Sequence, residues 1–273
     1  MDFRALLMGL AFAAMWSSAF TSARIIVAAA PPLSALALGA ALSYLEALVD
    51  EHLPEQAVVT DGGSVKGSVV ADARRVFGAV PHWLVPGHPI AGTERSGVES
   101  SFPELYQNRR VILTPVSETD PAAVARVRAM WERVGAEVTE MSVTHHDEVL
   151  AATSHLPHML AFGLVDTLAR MRSNDEIFRY AAGGFRDFTR IASSSPEMWR
   201  DICLANAEAL STMLERFSDE MAVLSQMIRE ADGEGVWQLF DRARAARDRY
   251  VDGIEGQGDK PPERASDLGL KRP

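Results

Sequence analysis

The stretch that decides the fold is Ala57-Val-Val-Thr-Asp-Gly-Gly-Ser-Val-Lys-Gly67. A short β-branched run closes on an acid and two glycines, which predicts a buried strand and a tight turn. From Val65 to Phe77 the apolar spacing becomes helical, and Gly78 marks the end. Outward from this unit the alternation continues. His82 to Val85 is a second apolar run stopped by Pro86-Gly87, and Arg110 to Thr114 is a third, closed by Pro115. Asp120-Pro121 is a helix cap followed by proline at the first helical position, and that helix runs to Gly135. Glu137 to Ser142 is a fourth strand. Strands alternating with helices predict parallel pairing.

Beyond Thr144 the strand signals cease. Asp147 to Met171 is helical, with Pro157 as a kink or local break. Ser195-Pro196-Glu197 gives a cap, a first-turn proline and a first-turn acid, opening a helix expected to reach about Ala231. Gly235 to Val251 is one more amphipathic helix, and residues 253–273 read as a disordered tail. The expected architecture is α/β plus all-α. An apolar segment covers 1–42, an α/β half 43–143 and a helical half 144–252.

Residues 1–42 differ in composition from the rest. Between Ala5 and Leu42 the only charged residue is Arg24. Ala5 to Ala23 is about as long as a bilayer-spanning helix. A membrane span or hairpin, a buried helix and a signal peptide are the competing readings. The start MDFR lacks the basic region of a signal peptide. The run through Pro31-Pro32 resembles the opening helix of drug/metabolite transporters, and membrane contact through residues 5–42 is one expectation.

Lys and Arg number 27 against 37 Asp and Glu, a formal charge of −10. Such a field repels phosphate backbones and excludes nucleic acid as a partner. A small anionic ligand would need a local cluster of Arg or His. The single cysteine, Cys203, forms no internal disulfide and fits a reducing cytoplasm.

Three stretches can carry chemistry. His145, His146, His155 and His158 lie within fourteen residues, with Asp147 and Glu148 among them. No metal-binding ligand set such as H-E-x-x-H appears, so no metal is expected, and hydrogen bonding to a polar ligand is the favoured role. Arg186 and Arg190 are four apart in Gly183-Gly-Phe-Arg-Asp-Phe-Thr-Arg190, and a guanidinium suits a carboxylate. Pro86-Gly-His-Pro-Ile-Ala-Gly92 holds His88 just past a strand end, at the carboxyl edge where ligands bind in open α/β sheets. Asp61 to Lys66 occupies the matching place after the preceding strand. The helix N-terminus beyond it suits an anion.

Together DGGSVKG (61–67), PGHPIAGTERSG (86–97), RRVILTP (109–115), HDEVLAATSHLPH (146–158) and GFRDFTRIASSSPEMW (184–199) resemble the prephenate/arogenate (cyclohexadienyl) dehydrogenase family. The resemblance implies a Rossmann-type NAD(P) domain followed by a helical dimerisation domain, with NAD or NADP as cofactor, prephenate or arogenate as substrate, and a homodimer. It implies that His88 hydrogen-bonds or deprotonates the ring 4-hydroxyl and that Ser64 sits between cofactor and substrate. Ser154 and His158 would line the substrate pocket and Arg190 would anchor a carboxylate, with Asp187 and Trp199 supporting it. Asp61, Ser64 and Lys66 would lie on the cofactor side, and His155 would be structural. The family's G-x-G-x-x-G is not found, since Gly9 and Gly39 are the only glycines before position 60. The expectation is therefore a truncated Rossmann-type sheet with impaired nucleotide affinity. The alternative is an inactive or chimeric remnant that dimerises or binds ligand.

Overall fold

The computed structural model describes residues 57–91, 104–172 and 174–256. The apolar segment 1–42 and most of the tail lie outside the described residues. Two compact units divide between Leu214 and Glu215.

In the first unit, β1 (Val59–Thr60) leads through the glycine turn into α1 (Lys66–Phe77), which ends on Gly78 at φ 76°. That left-handed backbone favours glycine. Then follow β2 (Leu84–Val85), β3 (Gly87–Pro89), β4 (Arg110–Leu113), α2 (Pro121–Arg133) and β5 (Glu137–Glu140). The parallel pairing expected from the alternation holds for β1 with β2 and for β4 with β5, whereas β3 pairs antiparallel with β4. The change of partner falls at Pro86. Proline has no N–H for a ladder, and the chain bends there from Val85, which faces Thr60, to Gly87, which faces Leu113. The second strand is shorter than expected because His82 belongs to the preceding turn, where Leu84 N–H donates to the Pro81 carbonyl at 3.0 Å.

Asp120 caps α2 as expected, accepting from Ala122 N–H at 2.9 Å, and Gly135 follows at φ 85°. Ser142 is not the end of the fourth strand. Its hydroxyl accepts from His145 N–H and caps α3 (Val143–Leu150). The break expected at Pro157 is a π-helical segment, Ala151–His155, between α3 and α4 (Leu156–Ala169). Proline cannot donate to the carbonyl four residues back, so the widened turn sits immediately before it. A short helix the sequence reading passed over, α5 (Asn174–Arg179), precedes α6 (Gly183–Thr189) and a 3-10 turn, Arg190–Ser193.

The helix opened by Ser195 is not continuous to Ala231. It divides into α7 (Pro196–Ala205) and α8 (Ala207–Arg229), broken at Asn206, where φ is −111° and ψ 35°. The Asn206 side chain turns inward to bond Asp147 and His155, and its backbone leaves the helical region. In the second unit α8 turns at Asp232 into α9 (Gly233–Gly256), longer than the sequence suggested. Among the described residues no helix is long and apolar enough to cross a membrane.

One apolar cluster joins the sheet to α2 through Val85, Val111, Leu113, Val127 and Trp131, and a second joins α1 to β2 through Val70, Ala73, Val80 and Leu84. Trp131 is 1% exposed. Replacing it with alanine leaves a cavity at the sheet face, and Trp131→Ala is expected to cost about 3–5 kcal/mol, read as a lower urea midpoint with an unchanged far-UV spectrum.

Candidate active site

The turn after β1 is built around one carboxylate. Asp61 Oδ2 accepts from Gly63 N–H at 2.8 Å and from the Lys66 ammonium, while Oδ1 accepts from Gly87 N–H at 3.0 Å. The Lys66 Nζ also donates to the Gly87 carbonyl at 2.6 Å. Both polar groups of Gly87 are thus gripped, one by the acid and one by the base of an ion pair. Lys66 is fully buried. Burial pulls its pKa down while Asp61 opposes that shift. The ammonium expected on the cofactor side faces inward and fixes the backbone before His88. Glycine suits position 87, because a Cβ would lie 3.1 Å from Thr60 Oγ1 and 3.2 Å from a Leu113 methyl and would press both aside.

His88 is 9% exposed, and its Nδ1 lies 2.9 Å from His146 Nε2. His146 is fully buried, and its Nδ1 lies 2.7 Å from Asp147 Oδ1. Asp147 ends this chain on the first turn of α1, accepting from Lys66 N–H at 2.8 Å and Gly67 N–H at 2.7 Å. Val65 supplies no side-chain cap, so a carboxylate 80 residues downstream satisfies donors that helix starts leave open. The helix N-terminus read as an anion site is therefore occupied by the protein's own acid. Asn206 Nδ2 donates to the Asp147 carbonyl at 2.9 Å and lies 3.1 Å from His155 Nδ1. Asn206 carries no signal in the sequence, and His146 and Asp147 stand out there only as members of the histidine-rich stretch. The adjacent His-Asp pair following a Ser cap was the available signal.

Electrostatics follow from burial. His88 is held well below the ordinary histidine range, first by desolvation and then by the Lys66 charge and the neighbouring His146 and His155. His155 is pushed down to about 4, chiefly by burial, against the pull of Asp147. For Asp147, burial acts upward, but bonds from His146 and the Lys66 and Gly67 amides outweigh it and hold the carboxylate ionised.

The opposite wall comes from the helices. Val65, beside Ser64, packs against Trp199 and Ile202 of α7. His158 stacks on Trp199 with ring centres 3.7 Å apart, and His155 meets the same indole edge-on at 6.0 Å. The 2.8 Å bond from His158 Nδ1 to the Ser154 carbonyl places the proton on Nδ1 and leaves Nε2 an acceptor. Burial lowers the His158 pKa, the bond to the Ser154 carbonyl opposes this, and the Arg190 charge lowers it further. Trp199 Nε1 is buried with no partner among the described residues, a donor suited to a polar ligand. Asp187 stands exposed on α6.

On the cofactor side, the described residues supply Asp61-Gly62-Gly63-Ser64 at the end of β1. Gly63 keeps the turn tight over the ion pair, since a Cβ there would lie 3.0 Å from Asp61 Oδ2 and 3.6 Å from Lys66 Nζ. The buried Thr60 hydroxyl has no partner among the described residues. That unpartnered hydroxyl is in keeping with a polar cofactor group at this edge.

Two family patterns run through the chain in order. Prephenate dehydrogenase, nucleotide-binding domain, matches residues 3–140, and prephenate dehydrogenase, dimerization domain, matches 142–242. The chain belongs to the prephenate dehydrogenase family. It is 40% identical over 210 residues to the cyclohexadienyl dehydrogenase of Zymomonas mobilis, covering 76% of this chain and 71% of that one. The crystal structure of Aquifex aeolicus prephenate dehydrogenase in complex with hydroxyphenyl propionate and NAD+ superposes with a TM-score of 0.70 at 42% identity, covering 78% of this chain and 73% of that one. Synechocystis arogenate dehydrogenase superposes with a TM-score of 0.66 at 29% identity, covering 77% and 74%. The fold is the family's Rossmann-like nucleotide-binding domain followed by helices. The nucleotide-binding match begins at residue 3 and so includes the segment read above as transporter-like; that likeness is not seen in the comparisons.

A prediction on stability follows from His155. Its folded pKa of about 4 lies below the unfolded value near 6.5. The unfolded chain therefore binds the extra proton first, and stability is full above pH 6.5 and falls as pH drops towards 4. The loss attributable to this residue is about 3 kcal/mol. Urea midpoints compared at pH 7.5 and pH 4.5, in wild type and His155→Gln, measure it, with the smaller pH effect expected in the variant.

Proposed function

We propose that the chain is a prephenate or arogenate dehydrogenase that couples hydride transfer to NAD or NADP with loss of the ring carboxylate. The observation that carries this reading is His88, gripped through Gly87 and tied through Nδ1 to His146. Its Nε2 is left as the nitrogen for a substrate. Burial keeps the imidazole unprotonated at neutral pH, the state a general base requires.

His88 accepts the proton of the ring 4-hydroxyl at Nε2 as C4 becomes a carbonyl carbon. A bound nicotinamide supplies the acceptor for the hydride leaving C4. The C1–carboxylate bond breaks, CO2 departs, and the electron pair left at C1 completes the aromatic ring while the C4 carbonyl pair moves onto oxygen; the phenolate takes its proton back from His88, giving 4-hydroxyphenylpyruvate from prephenate. Ser64 steadies the 4-hydroxyl from the loop side. Arg190 pairs with a substrate carboxylate and supplies the local positive charge that the net charge of −10 otherwise withholds. His158 Nε2, Ser154 and the Trp199 indole N–H offer polar contacts to the rest of the substrate, with Asp187 orienting the arginine's segment. Asp61 and Lys66 support the cofactor side by fixing the loop.

The domain plan we favour is a nucleotide-binding half to about residue 143 and a substrate-binding and dimerisation half from 144 to 252. The exposed Ile228 of α8 and Trp237 and Phe240 of α9 support a homodimer through the helices. The reach of the nucleotide-binding pattern to residue 3 favours placing residues 5–42 with that half rather than in a membrane, and the cytoplasm is the compartment this reading implies.

Following absorbance at 340 nm with prephenate or arogenate and NAD or NADP tests the proposal. Substrate-dependent reduction is expected, with kcat lowered about 10²–10⁴-fold in His88→Asn. Arg190→Gln should raise KM about 10–100-fold, the loss of a charge-assisted contact. No reduction in any combination by a folded dimer would overturn the reading and leave a binding module.

A further inference from the structure

Between His88 and the start of α1 lies a continuous chain of two side chains, His146 and Asp147, that the reaction scheme above does not use. Asp147 is a carboxylate, so it only accepts. It already takes the Lys66 and Gly67 amides, and its Oδ1 faces His146 Nδ1 at 2.7 Å, so His146 donates there. In a neutral His146 the remaining nitrogen, Nε2, is then an acceptor. It faces His88 Nδ1 at 2.9 Å, and the proton of that contact belongs to His88. An imidazole with hydrogen on Nδ1 carries its lone pair on Nε2.

We propose that His146 and Asp147 are positioning residues that hold His88 in its Nδ1–H tautomer, so that Nε2 presents a lone pair, and that stabilise the charge His88 acquires on taking a proton. The catalytic part of this inference rests on the dehydrogenase reading; the tautomer does not. No atom need move for the relay to work. When His88 takes a proton at Nε2, its Nδ1–H bond to His146 becomes charge-assisted, and Asp147 balances the new charge across the intervening ring. Among the described residues, the other ionisable groups around His88 are Lys66 from α1 and His155 from the π-helical segment, both of which disfavour a cation there. Asp147 is the carboxylate tied to His88, and it reaches His88 only through His146. Its anchorage on the α1 amides ties the orientation of the base to the helix that begins just after Ser64.

Long-range ¹⁵N–¹H correlation spectra of histidine-labelled protein, with His88→Asn for assignment, read the tautomer directly. In wild type, His88 Nε2 is expected at the unprotonated position and Nδ1 at the protonated one. His146→Leu removes the acceptor, so His88 should lose that single tautomer and kcat should fall about 10²-fold with KM changed less than about threefold. His146→Gln places an amide oxygen where Nε2 stood, keeping the acceptor but losing the link to Asp147. It should restore the His88 tautomer and recover part of kcat. A wild-type His88 protonated on Nε2 would overturn the proposal, as would a His146→Leu protein with unchanged tautomer and unchanged kcat. If the tautomers behave as expected while no substrate is turned over, the positioning inference stands and the dehydrogenase reading falls.

Discussion

The buried pair of Asp61 and Lys66 is the constraint on which the site depends. An ion pair taken out of water needs further hydrogen bonds to offset desolvation, and here those bonds all go to backbone: the Gly63 amide, the Gly87 amide and the Gly87 carbonyl. The pair therefore fixes the glycine turn, the end of β1 and the start of β3 in one arrangement. Replacing Asp61 alone would leave the fully buried Lys66 charge uncompensated, which is costlier than the loss of one contact. The same pair lends its positive end to the electrostatics of His88. A structural element thus adds to the effect of burial in keeping the adjacent imidazole neutral.

The second organising feature is that Asp147 serves two elements at once. As the cap of α1 it satisfies amides that the local sequence leaves open, since Val65 has no oxygen to offer. As the partner of His146 it orients the ring beside His88. Asn206 then ties the Asp147 carbonyl to the junction of α7 and α8. Through these bonds the α/β portion and the helices around Trp199 share polar contacts as well as the apolar contact at Val65.

Much of this was legible from sequence because it is local. The cap at Asp120, the stop at Gly78 and the turn at Gly62-Gly63 depend on residues within a few positions, and each has a composition that admits one reading. His88, Arg190, His158 and Trp199 were legible through motifs in a fixed order. What escaped was long-range. The antiparallel partner of β3 is chosen by a bend at Pro86 and by β4, more than 20 residues on. The break at Asn206 is caused by a bond to Asp147, 59 residues earlier, in a stretch whose own periodicity is helical throughout. Lys66 looked like a ligand-facing charge because lysine is ordinarily exposed, and only the placement of Gly87 shows what it is buried for. His146 looked like one histidine of four, and its role depends on which ring nitrogen meets which neighbour.

The π-helical segment Ala151–His155 has a consequence for how this chain tolerates change in length. A widened turn holds one residue more than the α-helix on either side, so it acts as a phase shift between α3 and α4. His146 and Asp147 lie before the shift, and His158 lies after it. Deleting one residue from the segment would let it close into an uninterrupted α-helix with α3 and α4 in their present phase, whereas closing it with every residue kept would rotate everything beyond by about 100°. The stack of His158 on Trp199 would then lose its registration with the His88 side of the site. Between these two groups of histidines the widened turn, and not the count of residues alone, sets which faces meet.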